Sequence, residues 1–363
     1  LLSGDVPLLT HESLERVVSK RRELGASVVV ASAIVDDPTG YGRIVREHGQ
    51  LSHIVEHRDA TPDERGIHEI NSGVYAFALA SLFESLAQVG TDNAQREYYL
   101  PELVRIARRT QKVVHAEVLP DPDEILGINT RAELAGVSSL LRQRINGTLM
   151  AEGVTFVDPS TAYVGPDVRI GLDTILHPFV TLEGRTSVGS GCEIHSGSRL
   201  VDTRLGDGVI VLDHTLVVES QVSDNVRLGP FARIRPATSI DEGAHIGNFV
   251  EIKKSTIGRQ TKIGHLSYVG DSSVGAGVNI GAGTITCNFD GVSKHRTTIG
   301  DKAFVGSDST LVAPVSVGAG AYVAAGSSIT EDVPAGALAI ARSRQATKPG
   351  WADRRTEKTK PRA

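Results

Sequence analysis

The chain has 363 residues, a formal net charge of -5, 40% hydrophobic residues and two cysteines. A single hydrophobic core usually stops growing near ~250 to 300 residues, so two domains are expected. The small acidic excess argues against nucleic acid or an anionic membrane as the main partner. Cys192 and Cys287 form no C-x-x-C cluster, so neither a disulfide scaffold nor a structural zinc is indicated by the cysteines. The sequence lacks a long apolar run, and the opening LLSGDVPLLT has neither the basic start nor the cleavage site of a signal peptide. A soluble cytoplasmic protein is expected. The chain opens on Leu1 in strand-like sequence running into SGD, so upstream residues are expected to be missing.

Residues 1–129 alternate between strand and helix patterns. Buried-strand runs stand at 27–35 (SVVVASAIV), 71–77 (NSGVYAF) and 112–118 (KVVHAEV). Helical spacing over 11–24 and 98–109 completes an α/β layer domain. A joining helix over 130–153 follows: Thr130 and Glu133 make a capping box, Leu134, Val137, Leu141, Ile145 and Leu149 make one apolar stripe, and Gly153 ends it.

From Val154 the period changes to six. Val164, Ile170, Leu176, Leu182, Val188, Ile194 and Leu200 recur at that interval, the pattern resumes from Val222 to Ile252, and again from Ile299 to Ile329. One short strand per hexad, its aliphatic residue inward and a small residue at the corner, gives three strands per coil of a parallel β-helix over 154–341. Aromatic content of 4% suits a narrow prism filled with Val, Ile and Leu. The step from Ile280 to Ile299 breaks the period, and TITCNFDGVSKH (284–295) is read as a loop leaving the prism, with NFDG as its turn. The basic tail over 342–363 holds eight Arg or Lys against two acids; its plain reading is a disordered end, with Trp351 as a candidate cover for an adenine ring.

Several polar residues stand out on this frame. Arg235 and Lys253 are 18 residues apart, on the same face of adjacent coils about 4.8 Å apart. Their repulsion is ~1 kcal/mol in bulk water and ~4 kcal/mol at an effective dielectric of 20, and an intervening phosphate would reverse it. Spacing alone weighs that reading evenly against two side chains splayed into solvent. His265, followed by Tyr268 and by Asn279 in the next coil, is by position an ordinary surface histidine; the chemistry of amine acylation would make it a general base. His177 and His195 share a register one coil apart and could share a metal, but no third His or carboxylate shares that register, which favours solvated neighbours.

The stretches GPFARIRP, GNFVEIKKS, GHLSYVGD, NIGAGTITCNFDG, HRTTIGD and FVGSDSTLVAPV, with SGDVPLL, DDPTGYGRIVRE, IVEHRDAT, EINSGVYAF and GINTR in order before them, resemble the bifunctional N-acetylglucosamine-1-phosphate uridyltransferase and glucosamine-1-phosphate acetyltransferase family, the GlmU type. The resemblance implies a partial Rossmann-like nucleotidyltransferase domain over 1–129 and a left-handed β-helix acetyltransferase domain. It implies acetyl transfer from acetyl-CoA to glucosamine-1-phosphate, with His265 as base, Asn288 assisting it and Ser307 near the departing thiolate. Arg235, Lys253, Tyr268, Asn279 and Lys294 would bind the acceptor; Ala282, Asn288, Phe289, Ser307, Ala325 and Arg342 would bind acetyl-CoA. Phe289 stands where the family usually has Tyr. In the first domain Asp5 and Asn129 would ligate Mg2+, and Gly42, Glu56, Asn71 and Asn129 would contact the uridine-diphosphate sugar made from UTP; without the resemblance these residues read as caps and turns. A homotrimer with sites between subunits is implied, acting on small molecules only. The family's Gly-rich nucleotide loop, expected before SGD, is absent, so the uridyltransferase half is expected to be inactive. Rival readings are a β-helical metalloenzyme of carbonic anhydrase type, an acyltransferase for another amino sugar, and a solenoid that only presents a binding face.

Overall fold

β-Branched and small residues at Val28–Ile34, all but the last buried, form an interior strand, β1, of a mixed sheet. In this computed structural model, which describes residues 1–359, the chain divides into two units, Leu1–Leu141 and Arg142–Ala363. The division falls inside the joining helix. The first unit adds β2 (Arg43–Glu47), β3 (Gln50–Val55), β4 (Glu69–Phe77) and β5 (Val114–Val118), in the order β3-β2-β4-β1-β5. Only β1 and β5 pair in parallel; β4 and the β2–β3 hairpin run antiparallel. His48 and Gly49, at φ 51° and 78°, make the hairpin turn that sequence patterning missed. Helix α1 (His11–Glu23) is capped by Thr10, whose hydroxyl accepts from Ser13 N, and it buries Val17. Asp5, expected at a strand end, lies instead in a turn, because the opening segment is held by Leu1, whose amine and carbonyl bond the main chain of Tyr75.

The joining helix runs Arg131–Ala151. Its capping box forms as expected: Thr130 Oγ1 accepts from Glu133 N at 3.2 Å and Glu133 Oε2 accepts from Thr130 N at 2.8 Å. The stripe is buried only in part. Val137 and Leu149 are buried, Ile145 packs on the β-helix core, and Leu134 and Leu141 stay exposed. Ile145 and Leu149 thereby close one end of the aliphatic column.

Among the described residues the second unit holds three parallel sheets of eleven, ten and nine strands, one per side of the prism. The first face starts at Thr155–Phe156, the second at Tyr163–Val164 and the third at Arg169–Ile170. The inward residues Leu182, Leu200, Val217, Ile234, Ile252 and Val269 pair coil by coil and are fully buried; each such side chain stabilises the stack by roughly 1.5 to 3 kcal/mol. The coil step is 18 residues from Leu182 to Leu200, 17 from Leu200 to Val217, and 25 from Ile280 to Val305. The long step marks one excursion, and it starts later than expected. Ile285–Cys287 remains a strand with Thr286 in the inward slot, and the chain leaves the prism over 288–296. Thr286 is tolerated because its Oγ1 accepts from Gly270 N at 2.8 Å and reaches the Gly270 and Tyr268 carbonyls.

Corners differ from expectation too. Phe179, His214, Phe231, Phe249 and Leu266 occupy one corner column with φ of 46° to 63°, where small residues were expected. Main-chain bonds between coils, such as Phe231 N to Asp213 O at 2.9 Å and Leu266 N to Asn248 O at 3.0 Å, impose that conformation. Small residues are needed one position before the corner column of His265, where a Cβ on Gly247 would collide with Gly264 O. The tail forms a helix at Trp351–Thr359 in place of the expected disordered end; Arg355 lies over the Trp351 ring. Residues 360–363 of the basic tail lie outside the described residues. No helix among the described residues is long and apolar enough to cross a membrane.

Candidate active site

On the second face, the strands that bury Ile234, Ile252 and Val269 present Arg235, Lys253 and Tyr268 outward. The two cations do not face each other bare. Arg235 pairs with Glu251 at 2.8 Å and Lys253 approaches Asp271 at 3.8 Å. Lys254 reaches the other oxygen of Asp271, also at 3.8 Å. Asn288, at the start of the excursion, is buried and donates its amide to Asp271 Oδ2 and, at 3.4 Å, to the Tyr268 hydroxyl. The excursion then folds back through a bridge between Phe289 and Lys294. Asp290 pins it by accepting from Val292 N at 2.8 Å, Ser293 N at 2.6 Å and His295 at 2.7 Å. Ser293 N–H, His295 and Val292 N–H hold the Asp290 carboxyl far below the usual carboxylate range. This return brings Lys294 against Lys253, and that cationic neighbour lowers the Lys294 ammonium from its ordinary 10.5. Lys253, Tyr268, Asp271, Asn288 and Lys294 are therefore one cluster, flanked by Arg235.

The corner between the first and second faces carries a second set. Ile263, Ile280, Val305 and Val323 pair in succession on the first face, so the residues two positions on, His265, Ala282, Ser307 and Ala325, stack in one column at about 4.8 Å per coil. Main-chain bonds tie the column: Asp308 N donates to Ala282 O at 2.7 Å and Gly326 N to Ser307 O at 2.8 Å. Arg342 joins it by donating to Ala325 O at 2.6 Å. The partner of His265 is Asn248, directly below it in register, whose Oδ1 faces Nδ1. An amide oxygen at that position favours the tautomer with the proton on Nδ1 and the lone pair on Nε2. Asn288, expected beside His265, is bonded instead to Tyr268 and Asp271. Asn279 lies on the first face between Lys262 and Phe304, apart from Tyr268, and Phe289 is exposed. Sequence reasoning missed Asn248 and Asp271.

In the first unit, Gly42, Glu56 and Asn71 converge: a Cβ on Gly42 would stand 3.2 Å from Glu56 Oε1 and 3.4 Å from Asn71 Cβ. Burial pushes the Glu56 carboxyl up and the Tyr75 phenol, which donates to Asn71 Oδ1 at 3.0 Å, far up. Asp5 and Asn129 flank Gly127, each with a polar atom 3.9 Å from where its Cβ would be. Asp5 presents a carboxylate oxygen, a hard donor of the kind Mg2+ takes, while Asn129 turns its amide nitrogen to this point and would have to rotate to offer its oxygen.

The chain is 48% identical over 352 residues to the bifunctional protein GlmU of Trichlorobacter lovleyi, covering 97% of this chain and 76% of that one. It is 45% identical over 355 residues to the bifunctional protein GlmU of Geobacillus sp., covering 98% and 77%. The chain belongs to the family of bifunctional GlmU proteins. An α/β domain followed by a left-handed β-helix is accordingly its fold class. It spans about three quarters of the length of these relatives. No family profile matches the chain. Among solved structures, an Arabidopsis UDP-N-acetylglucosamine acyltransferase is similar at 19% identity with a TM-score of 0.36, over 48% of this chain and 68% of that one.

Proposed function

We propose that the second unit transfers the acetyl group of acetyl-CoA to the amine of glucosamine-1-phosphate, giving N-acetylglucosamine-1-phosphate. The observation that carries this reading is the cluster of Lys253, Tyr268, Asp271 and Asn288 on the second face, a cationic cradle with sugar-sized hydrogen-bonding groups, which Lys294 of the excursion joins. Arg235, Lys253 and Lys294 hold the phosphate and Tyr268 orients the sugar, while Asn279, on the first face, contacts the sugar across a subunit boundary and Asn288 contacts acetyl-CoA. His265 Nε2 takes a proton from the amine as its nitrogen attacks the thioester carbonyl. The C–N bond forms, the C–S bond breaks, and the thiolate leaves beside the hydroxyl of Ser307, which stands in one column with His265. Ala282, Phe289, Ala325 and Arg342 line the path of acetyl-CoA, and Phe289 serves through its main chain because it has no hydroxyl.

In the first unit Gly42, Glu56, Asn71 and Asn129 bind a uridine-diphosphate sugar, with Mg2+ held by Asp5 and Asn129 and UTP as the nucleotide substrate of the family. We place the protein in the cytoplasm, supplying the N-acetylglucosamine-1-phosphate from which the family makes UDP-N-acetylglucosamine for the cell wall. The assembly is a homotrimer whose acetyl-transfer sites lie between subunits. Supporting this, Phe231 and Phe249 stack at 5.4 Å and, with Leu266, leave an apolar ladder 49%, 55% and 61% exposed one residue from the His265 column. Sedimentation at working concentration should show a trimer, and a fully active monomer would contradict it. The function itself is tested by thiol release from acetyl-CoA over a panel of amino sugars with and without a 1-phosphate. Glucosamine-1-phosphate should give the highest kcat/KM; a preference for another amino sugar would redirect the reading, and absence of acetyl-CoA consumption would end it.

A further inference from the structure

No third ligand shares the register of His177 and His195, but Glu193 reaches both from two residues away. The two imidazoles stack with ring centroids 4.5 Å apart and planes inclined by 12°. The carboxylate of Glu193, two residues before His195 on the same strand, reaches across: Oε1 is 3.0 Å from His177 Nε2 and 3.2 Å from His195 Nε2. One donor atom from each residue lies within 4.8 Å of the other two.

We infer that His177, Glu193 and His195 form a binding site for a divalent transition-metal ion of the Zn2+, Co2+ or Ni2+ class, separate from the acetyl-transfer site. Ligands at ~2.0 to 2.1 Å from a tetrahedral ion stand about 3.3 Å apart, close to the two N–O distances here. The backbone that carries them is fixed, since His177 N donates to Ile194 O at 2.9 Å and His195 N to Val211 O at 2.8 Å. Ordering therefore costs only side-chain adjustment. The charge balance points the same way. Glu193 lies between Ile175 and Ile210 on its face, and its ion-pair partners among the described residues are the two histidines. In the His register the pair is bounded by Val157 and Leu212, one residue beyond the paired Phe156, Leu176, Ile194 and Val211. Both flanking positions are apolar, so neither brings a cation or a competing ligand into that register. Asp213 Oδ2 stands 3.8 Å from His195 Nδ1, the position of an outer carboxylate that raises the basicity of a ligating imidazole. Two imidazoles and one carboxylate select borderline transition ions over Mg2+ and Ca2+, which prefer all-oxygen sites. Four coils, about 19 Å at 4.8 Å each, separate His195 from the coil of His265. The ion would clamp two adjacent coils and leave the acylation groups untouched.

The test uses the full chain, stripped of metal by a chelator and dialysed, then titrated with Co2+ and with Zn2+ near neutral pH. Wild type should take up one equivalent per chain, develop visible Co2+ d–d absorption, and show a melting temperature that rises with Zn2+ concentration. Glu193→Gln should weaken Co2+ binding by at least about tenfold and His177→Asn/His195→Asn should abolish it, both without change in acetyl transfer. Asp213→Asn should weaken it by about tenfold. Mg2+ in large excess should not displace Co2+. Failure of wild type to bind at millimolar Co2+ would overturn the assignment. So would equal stoichiometry and affinity in the double variant, because other histidines would then hold the ion.

Discussion

Replacing Lys253 by Met removes one charge from the proposed phosphate cradle and keeps most of the apolar stem. The side chain of Lys253 is 19% exposed and its Nζ lies 3.8 Å from Asp271 Oδ2. A unit charge pair near 4 Å is worth ~1 kcal/mol in bulk water and ~4 kcal/mol at an effective dielectric of 20. This group is mostly shielded but still touches solvent, so its attraction for a phosphate falls between those limits. About 1.4 to 2.8 kcal/mol corresponds to a 10- to 100-fold rise in the acceptor KM. Asp271 keeps Lys254 and Asn288 as partners, so the fold should survive and kcat should change little. The assay is initial-rate acetyl transfer at saturating acetyl-CoA, with glucosamine-1-phosphate varied and with unphosphorylated glucosamine as a second acceptor. The effect should vanish with the unphosphorylated sugar. An acceptor KM within twofold of wild type, or equal losses on both acceptors, would refute the phosphate role of Lys253.

Three further outcomes are expected. Lys294 has its ammonium lowered from 10.5 by Lys253, so phosphate affinity should be full below that lowered value and decline as pH rises through it, earlier than an ordinary lysine allows; a pH profile of the acceptor KM reads this, and Lys294→Arg should move the alkaline limb outward. His265→Ala should lower kcat by at least ~100-fold with the acceptor KM nearly unchanged, measured by thiol release; near-normal turnover would remove His265 from the chemistry. Ile252→Ala opens a void at a fully buried position in the column and should cost about 2 to 5 kcal/mol in denaturant unfolding of the second unit, whereas a cost below ~1 kcal/mol would mean the prism is not close-packed there.

The aliphatic column was legible because burial enforces its period: an error of one residue turns a side chain outward. The groups between the coils were not, because their meetings depend on the length of each step. Asn248 meets His265 only because that step is 17 residues, as Ile246 pairs with Ile263. Asp271 directly follows the strand Tyr268–Gly270, and the 17-residue step from Ile252 to Val269 sets it beside Lys254, a meeting that a strict period of 18 would not produce. Glu193 escaped notice for another reason. It sits two residues off the histidine register and reaches them sideways, which no comparison of like positions reveals. The His48–Gly49 turn lacks the Asn-Gly or Asp-Gly pair that marks a hairpin in sequence.

The two carboxylates at the cradle change what the spacing of Arg235 and Lys253 means. A parallel ladder fixes neighbouring coils at about 4.8 Å, so cations at matching positions cannot retreat far, and the free chain neutralises them with Glu251 and Asp271. A phosphate entering the cradle competes with carboxylates already in place. Its advantage is charge, since a monoester carries up to two negative charges near neutrality, and reach, since it can engage Lys294 as well. Lys294 differs from the two ladder cations in what acts on it most strongly, which is not a carboxylate but Lys253, a neighbour that pushes its proton off. A bound phosphate reverses that push. On the proposed function, the excursion over 288–296 would supply a third cation for the phosphate, one set beside Lys253 by the break in the period rather than by the coil ladder.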